Sequence, residues 1–528
     1  MSKWAGDALS QAVREGYRAG REDETLEPLV LVDGRGTPVG RFRNGDAVIF
    51  YNIRGEREIE LTRSLTEPGF PEFPVHPDLA LHFATMIRYR EDLKAAVAFP
   101  PDAVVADTLS ETIARHGLKQ IKITEAEKAV HVGFFLNGKR DEPFDGETRH
   151  IVPTRKDVAL FDEAPEMSIA AVAEAVLDAI RDDAYAFIFA NFPNVDVVGH
   201  IENEAAILRA VEAVDRNLGR VVEAATRAGL TVVVSADHGT VEKWLYPDGT
   251  IDTGHTDSPV PFLLLDNDGP APLRPSGELT DIAPTVLERM GLPVPAAMTG
   301  RSLLAGPRSG RKPARRLLLL VLDGWGHAPD GPGNLISRAQ TPNMDRLRQT
   351  CPPALLAAAG EAVGLPEGTV GNSEAGHLHI GAGRRIYADR VRIDRAIADG
   401  SFYSNPAFLG AVRAARDAGT ALHLMGIVSF FSSHGSLRHL FALMDLARRE
   451  GVRNVFIHAM LGRRGEKPES GANYIQEIET KCLADGLGRV VSVIGRYWSM
   501  DREENWDRIE KTYRMLVYGE GAPVAERG

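Results

Sequence analysis

The stretch Leu317–Gly326, LLLLVLDGWG, sets an unbroken apolar run directly against an acidic turn. An apolar run without polar alternates suits a strand covered on both faces, as in a parallel sheet. It is far too short to span a bilayer. Two other stretches share this form: Ala186–Ala190 (AFIFA) runs into NFPNVDVVGH, and Thr231–Val234 (TVVV) runs into SADHG. Ligands of parallel sheets collect at the carboxyl ends of the strands, where these polar clusters fall. Helices are expected between the strands. From Glu204 onward Ile207, Val211, Val214, Leu218, Val221 and Ala225 keep a helical stripe that Gly229 stops, and Ser168 is positioned to cap a helix carrying Val172, Val176 and Ile180. The alternation reads as α/β.

At 528 residues the chain exceeds what one hydrophobic core organises, so two or three domains are expected. A net charge of -12 argues against nucleic acid or an anionic membrane as partner. An acidic protein that handles anions must gather positive charge locally. Two cysteines, Cys351 and Cys482, make no disulfide framework, and the opening MSKWAGDALSQAVREGY lacks a signal peptide's apolar core, so a cytoplasmic location is expected. Ala305–Arg315 (AGPRSGRKPAR), rich in Gly, Pro and cations, reads as a linker between two parts of one sheet. No internal repeat or low-complexity tract is evident.

The polar clusters carry the chemistry. Asp196 and His200 are four residues apart in DVVGH, Asp237 and His238 adjoin in ADHG, His255 lies in TGHTDSPVP and Asp323 opens DGWG. Singly each has an ordinary explanation: an Asp-Gly after a strand is usually a turn, and a buried His is usually a satisfied core residue. Jointly, three carboxylates and three imidazoles at strand ends form a mixed oxygen and nitrogen donor set suited to Mn²⁺ or Zn²⁺ rather than calcium. Ser373, in GEAVGLPEGTVGNSEAGHLHIGAGR, is the candidate nucleophile. A serine hydroxyl needs a base or metal to activate it, and two metals about 3.5–4 Å apart can both activate it and clamp a phosphoryl group.

Together these segments resemble cofactor-independent phosphoglycerate mutase, of the alkaline phosphatase superfamily. The matching stretches are DGWG, GNSEAGHLHIGAGR, DVVGH, ADHG and GHTDSPVPF. Their order differs: in the family DGWG and GNSE come first, whereas here Asp196, Asp237 and His255 precede Asp323 and Ser373. The resemblance therefore implies a circular permutation in which the 305–315 linker fuses the family's ends. It implies an alkaline-phosphatase-like domain with a mainly parallel sheet flanked by helices, contiguous over 155–395. It also implies a second α/β transferase domain built from 1–154 and 396–528. One metal would take Asp196, His200 and His255, and the other Asp323, Ser373, Asp237 and His238. Ser373 would carry the phosphoryl group covalently. Arg54 and Arg57 in NIRGER, Lys128 in TEAEK, and Arg496 and Arg502 in GRYWSMDR match the family's substrate cations.

Two segments depart from the family. Where it has a segment like LSDGGVHSH, this chain has Val428–Ser436, VSFFSSHGS, which keeps His434 at a substrate position but carries Phe430 and Phe431 in place of Asp and Gly. Where it has one like LDGRDTPPKS, this chain has Leu461–Ser470, LGRRGEKPES, which keeps Arg464 but places Gly465 where the family has an acid/base aspartate. Such a proton shuttle is worth about 10²–10⁴-fold in rate. The expectation is a metal-dependent phosphoryl or phosphonyl transferase with two divalent ions, Mn²⁺ ahead of Zn²⁺, acting as a monomer on a small anionic glycerate-type substrate. The alternatives are a specialised transfer of a phosphonate such as phosphonoformate to a glycerate-like acceptor, and a phosphatase or phosphodiesterase of the same superfamily.

Overall fold

The computed structural model describes residues 7–101, 104–266, 271–305, 312–430, 432–462 and 470–525. The chain forms two compact units, one contiguous from Asp102 to Val391 and one built from Met1–Pro101 together with Arg392–Gly528.

The contiguous unit is organised by an eight-stranded sheet. Leu317–Leu322 lies at its centre, every residue buried, paired in parallel with Tyr185–Phe192 on one side and Thr231–Ser235 on the other. The sheet continues in parallel from Tyr185–Phe192 to Lys119–Glu125 and Glu147–Val152. Val260–Leu265 pairs antiparallel with Thr231–Ser235. Branched and aromatic side chains make these strands two-sided core, as the uninterrupted apolar runs require. Helix Glu204–Arg227 is capped by Asn203, whose side chain accepts from Ala206 N, and its whole expected stripe is buried. Ser168 does precede the helix Ile169–Arg181 but makes no side-chain cap: its hydroxyl donates to Pro153 O at 3.1 Å instead.

The boundary between units falls at 101/102 rather than at 154/155. The reason is strand pairing: Lys119–Glu125 runs beside Tyr185–Phe192, with Ile121 opposite Ile188 and Ile123 opposite Ala190, and carries Glu147–Val152 on its other edge. Residues 102–154 therefore belong to the contiguous unit, and Lys128 with them.

The two-segment unit has its own eight-stranded sheet, ordered Ala522–Ala525, Leu29–Val32, Arg489–Gly495, Val455–Leu461, Leu422–Ile427, Ala47–Phe50, His82–Ile87, Ala96–Phe99. Leu422–Ile427 pairs in parallel with both Val455–Leu461 and Ala47–Phe50, so strands from the two chain segments interleave and neither closes the sheet alone. Among the described residues no helix is long and apolar enough to cross a membrane.

Candidate active site

In the contiguous unit, the carboxyl ends of the three central strands bring Asp323, Asn191 and Asp237 to one point. Two glycines make the approach possible. Gly324 has φ +80°, and a Cβ there would stand 2.8 Å from the backbone of Asp196. Gly376 sits on the helix Ser373–Ala382, where a Cβ would meet Asp237 O at 2.6 Å. That helix begins at Ser373, with the Asn372 side chain accepting from Ala375 N, so the hydroxyl lies where a helix N-terminus favours anions.

The expected residues converge. Asp196 and His200 sit one turn apart on and just beyond the short helix Asn194–Gly199. Nε2 of His255, His200 and His238 lie 3.0, 3.3 and 3.7 Å from Asp196 Oδ1. His238 Nε2 is also 3.4 Å from both Asp237 Oδ2 and Asp323 Oδ1, which places it at the seam between two donor groups. Ser373 Oγ lies 2.9 Å from His238 Nε2 and 3.2 Å from Asp323 Oδ1. Lys128 Nζ stands in the middle, 2.7 Å from Asp196 Oδ2, 2.8 Å from Asp323 Oδ1 and 2.6 Å from Ser373 Oγ.

These residues fit divalent cations. His200 Nδ1 and His255 Nδ1 face the carbonyls of Thr253 and Gly371 at 2.7 and 2.9 Å, the contact that a protonated Nδ1 makes. Their Nε2 lone pairs are then left facing each other at 3.1 Å and facing Asp196. Acceptors crowded against acceptors call for a cation between them. Asp196 Oδ1 and Asp237 Oδ2 are buried and accept no hydrogen bond of good geometry. Two sets of donor atoms lie close enough to share an ion, Asp196 with His238 and His255, and Asp237 with Asp323 and His377.

Charge balance agrees. Burial alone would lower Lys128, but Asp323, Asp196 and Asp237 outweigh it and hold the ammonium well above its ordinary range. Burial likewise opposes the charging of His238, yet Asp237 and Asp323 push it up to about 10. Burial works against Asp196 as a carboxylate, and Lys128 and the neighbouring imidazoles nonetheless hold it well below the usual carboxylate range. Three buried carboxylates thus draw positive charge to this centre, supplied by the Lys128 ammonium and a protonated His238 or by a cation in their place.

Two contributors escaped the sequence reading. His377, one helical turn after Ser373, has Nδ1 2.9 Å from Ser373 O and 3.3 Å from Asp237 Oδ2. Asn191 donates from Nδ2 to Asp323 Oδ2 at 2.8 Å and lies 3.1 Å from His377 Nε2. The i, i+4 spacing from Ser373 was the available signal for His377. Asn191 gave none beyond its place at a strand end. A cavity of about 500 Å³, with walls including Tyr246, Pro329 and Val370, borders His255.

The remaining expected cations belong to the two-segment unit, again at carboxyl ends of strands. Glu56 Oε2 lies 3.8 Å from Arg54 and accepts from Arg502 at 2.8 Å, while Arg57 donates to Met500 O at 3.1 Å. His434 Nδ1 is 3.4 Å from Glu58 Oε1, and the Ile53 amide donates to His434 O. The geometry brings Arg54, Arg57, Arg502 and His434 into one cluster. Arg496 opens the short helix Arg496–Ser499 leading to Met500, with Nε 3.8 Å from Glu24. Phe430 packs edge-on against Phe441 and Tyr474. Arg464, Gly465 and Phe431 lie outside the described residues.

Residues 34–294 match the Metalloenzyme superfamily, and residues 393–527 match the BPG-independent PGAM N-terminus. Over these segments the chain is homologous to the 2,3-bisphosphoglycerate-independent phosphoglycerate mutases. The enzyme of that name from Moorella thermoacetica is 53% identical over 207 residues, 39% of this chain and 40% of the relative. The one from Thermomicrobium roseum is 43% identical over 311 residues, 57% of this chain and 58% of the relative. The matched stretches thus span between 40% and 58% of these relatives' own lengths. A crystal structure of Leishmania mexicana phosphoglycerate mutase at low cobalt concentration is 29% identical, with TM-score 0.37, covering 52% of this chain and 53% of that one.

Proposed function

We propose that the chain is a metal-dependent phosphoryl transferase of the phosphoglycerate mutase type, acting through a covalent Ser373 intermediate on a glycerate-type substrate. The observation that carries this reading is the convergence of Lys128 Nζ, His238 Nε2 and Asp323 Oδ1 within 3.2 Å of one serine oxygen. The Ser373 hydroxyl donates to Asp323, and Lys128 donates to Ser373 Oγ, which lowers the cost of developing negative charge there. As the Oγ–P bond forms, the Ser373 proton passes to Asp323 and the P–O bond to the donor oxygen breaks, the departing alkoxide taking up that proton. The reverse transfer takes a proton from the new acceptor hydroxyl and returns it to Ser373. Return of the phosphoryl group to a different hydroxyl of the bound glycerate restores the serine. Two divalent cations, Mn²⁺ by preference, held by Asp196, His200 and His255 and by Asp237, His238, Asp323 and Ser373, supply Lewis-acid stabilisation of the transferring group. Arg54, Arg57, Arg496, Arg502, His434 and Arg464 are the proposed ligands of the substrate's carboxylate and phosphate, a task suited to guanidinium forks.

We further read the chain as a circular permutation of its relatives. The segment that matches an N-terminus lies at residues 393–527, after the match at 34–294. The central strand Leu317–Leu322 follows in sequence the two strands it separates. The helix Ala8–Arg18 packs on the strand Ala522–Ala525, so the described ends of the chain adjoin within their unit, the geometry a permutation needs.

A second reading, transfer of a phosphonate to a glycerate-like acceptor, is favoured by Gly465, which stands where the family resemblance implies an acid/base aspartate. One experiment separates the readings. Purified protein with Mn²⁺ is incubated with 3-phosphoglycerate or phosphonate donors, and intact mass is followed beside isomerisation coupled to enolase. Isomerisation with an adduct that vanishes in Ser373→Ala supports the first reading. An adduct from phosphonates alone supports the second. Absence of any Ser373-dependent adduct overturns both.

A further inference from the structure

Ser373 starts its helix, and Gly383 ends it about 15 Å away at 1.5 Å rise per residue. Beside that far end lies a separate cavity of about 690 Å³. Its walls carry four arginines, Arg274, Arg301, Arg384 and Arg385, against two carboxylates, Glu278 and Asp281.

The carboxylates are already committed. Arg385 grips Glu278 with both arms of its guanidinium, with Nε 2.9 Å from Oε2. Asp281 accepts Arg274 Nη2 at 2.9 Å, Arg301 N at 2.7 Å and Glu278 N at 3.1 Å. Two cations are left over. Arg384 donates to carbonyls, Ala106 O at 2.7 Å and Ala382 O at 3.5 Å, and forms no ion pair among the described residues. The Arg301 guanidinium has neither an ion pair nor a hydrogen bond among them.

The segments bearing these two arginines are fastened together. Gly300 N donates to Gly383 O at 2.9 Å, immediately before each arginine. A Cβ on Gly300 would fall 2.0 Å from Thr280 O, so only glycine permits this approach. Arg301 and Arg384 therefore leave from adjacent, rigid points on one rim, and the hydroxyls of Ser276, Thr280 and Thr299 supply neutral polar wall. Guanidiniums with uncommitted donors, carried on a fixed backbone rim, match oxyanions with two acceptor oxygens per fork.

We propose that this cavity binds a small polyanion bearing phosphoryl or carboxylate groups, at a site separate from Ser373. The inference does not depend on the chemistry proposed at Ser373.

Calorimetric titration of inorganic pyrophosphate and, separately, of citrate into the full chain tests it, with Mn²⁺ left out because both probes chelate it. A saturable event is expected, weakened at least tenfold in the Arg301→Gln, Arg384→Gln double variant and less in the Arg301→Lys, Arg384→Lys variant, which keeps charge but loses the forks. Preference for pyrophosphate assigns a phosphoryl ligand, and preference for citrate a polycarboxylate. The lysine variant keeps the test informative should the glutamine variant fail to fold. Absence of binding, binding indifferent to both arginine variants, or binding lost instead in Lys128→Ala would overturn the proposal.

Discussion

Lys128 Nζ lies 2.6 Å from Ser373 Oγ although 245 residues separate the two in sequence. The ammonium is buried against Asp196 and Asp323 as well, so it serves as counter-charge to the carboxylates and as donor to the serine oxygen. Lys128→Met removes both roles while keeping the stem's volume. Serine phosphorylation and transfer should fall by about 10²–10³-fold, in line with loss of one buried donor at a developing charge. Single-turnover rates with Mn²⁺ check this, and an unchanged rate would remove Lys128 from the chemistry.

Metal removal should register in stability as well as activity. A ligand present at 100 times its Kd stabilises the native state by about 2.7 kcal/mol. Chelation of the purified protein should therefore lower its melting temperature, and Mn²⁺ should restore it. Asp196→Asn, which weakens the group comprising Asp196, His238 and His255, should shrink the Mn²⁺-dependent rise. A rise of the same size in that variant would place the ion elsewhere.

In the two-segment unit a buried chain of hydrogen bonds predicts acid sensitivity. His423 Nε2 lies 3.1 Å from Asp46 Oδ2, His423 Nδ1 3.0 Å from His458 Nε2, and His458 Nδ1 2.8 Å from Ser492 Oγ. Burial lowers both imidazoles, against Asp46 in the case of His423 and reinforced by His423 in the case of His458. The unfolded imidazoles take up protons near pH 6.5 and the folded ones only at lower pH, so this stability is whole above about pH 6.5 and declines as pH falls below it. His458→Asn should cost about 1–3 kcal/mol at pH 8 through unsatisfied neighbours. It should also flatten the decline between pH 6.5 and 5. Denaturant melts at several pH values decide the matter, and an identical slope in the variant would exclude the histidine pair as its source.

The proposed permutation has a direct test. A chain opened inside the 305–315 linker, with residue 525 joined to residue 7 by a short flexible Gly-Ser segment, should fold and retain the Mn²⁺-dependent transfer proposed above, because the helix Ala8–Arg18 and the strand Ala522–Ala525 lie side by side. Circular dichroism and the activity assay report the outcome, and a chain that fails to fold would weigh against the permuted reading.

Local order made the central strands legible. Leu317–Leu322, Tyr185–Phe192 and Thr231–Ser235 carry apolar side chains on both faces, and each ends in a polar cluster, so their burial and the position of Asp323, Asp196 and Asp237 could be read directly. The membership of 102–154 in the contiguous unit is not legible locally, because it depends on a strand partner at 185–192, about 65 residues away. His377 is hard to read from sequence because it lies among glycines and apolar residues, and only the helix Ser373–Ala382 turns it toward Asp237.

What the sequence determined unaided is the supply of parts: two-sided apolar strands, acidic and imidazole side chains at their ends, and a serine in a Gly-rich stretch. These follow from residue type and short-range periodicity, which act within a few residues. Tertiary structure alone decided which parts meet: Leu317–Leu322 inserted between strands that precede it, Lys128 brought among three carboxylates, and Arg301 fixed beside Arg384. Those meetings arise from backbone pairing and close packing between residues far apart along the chain, where local preference carries no information.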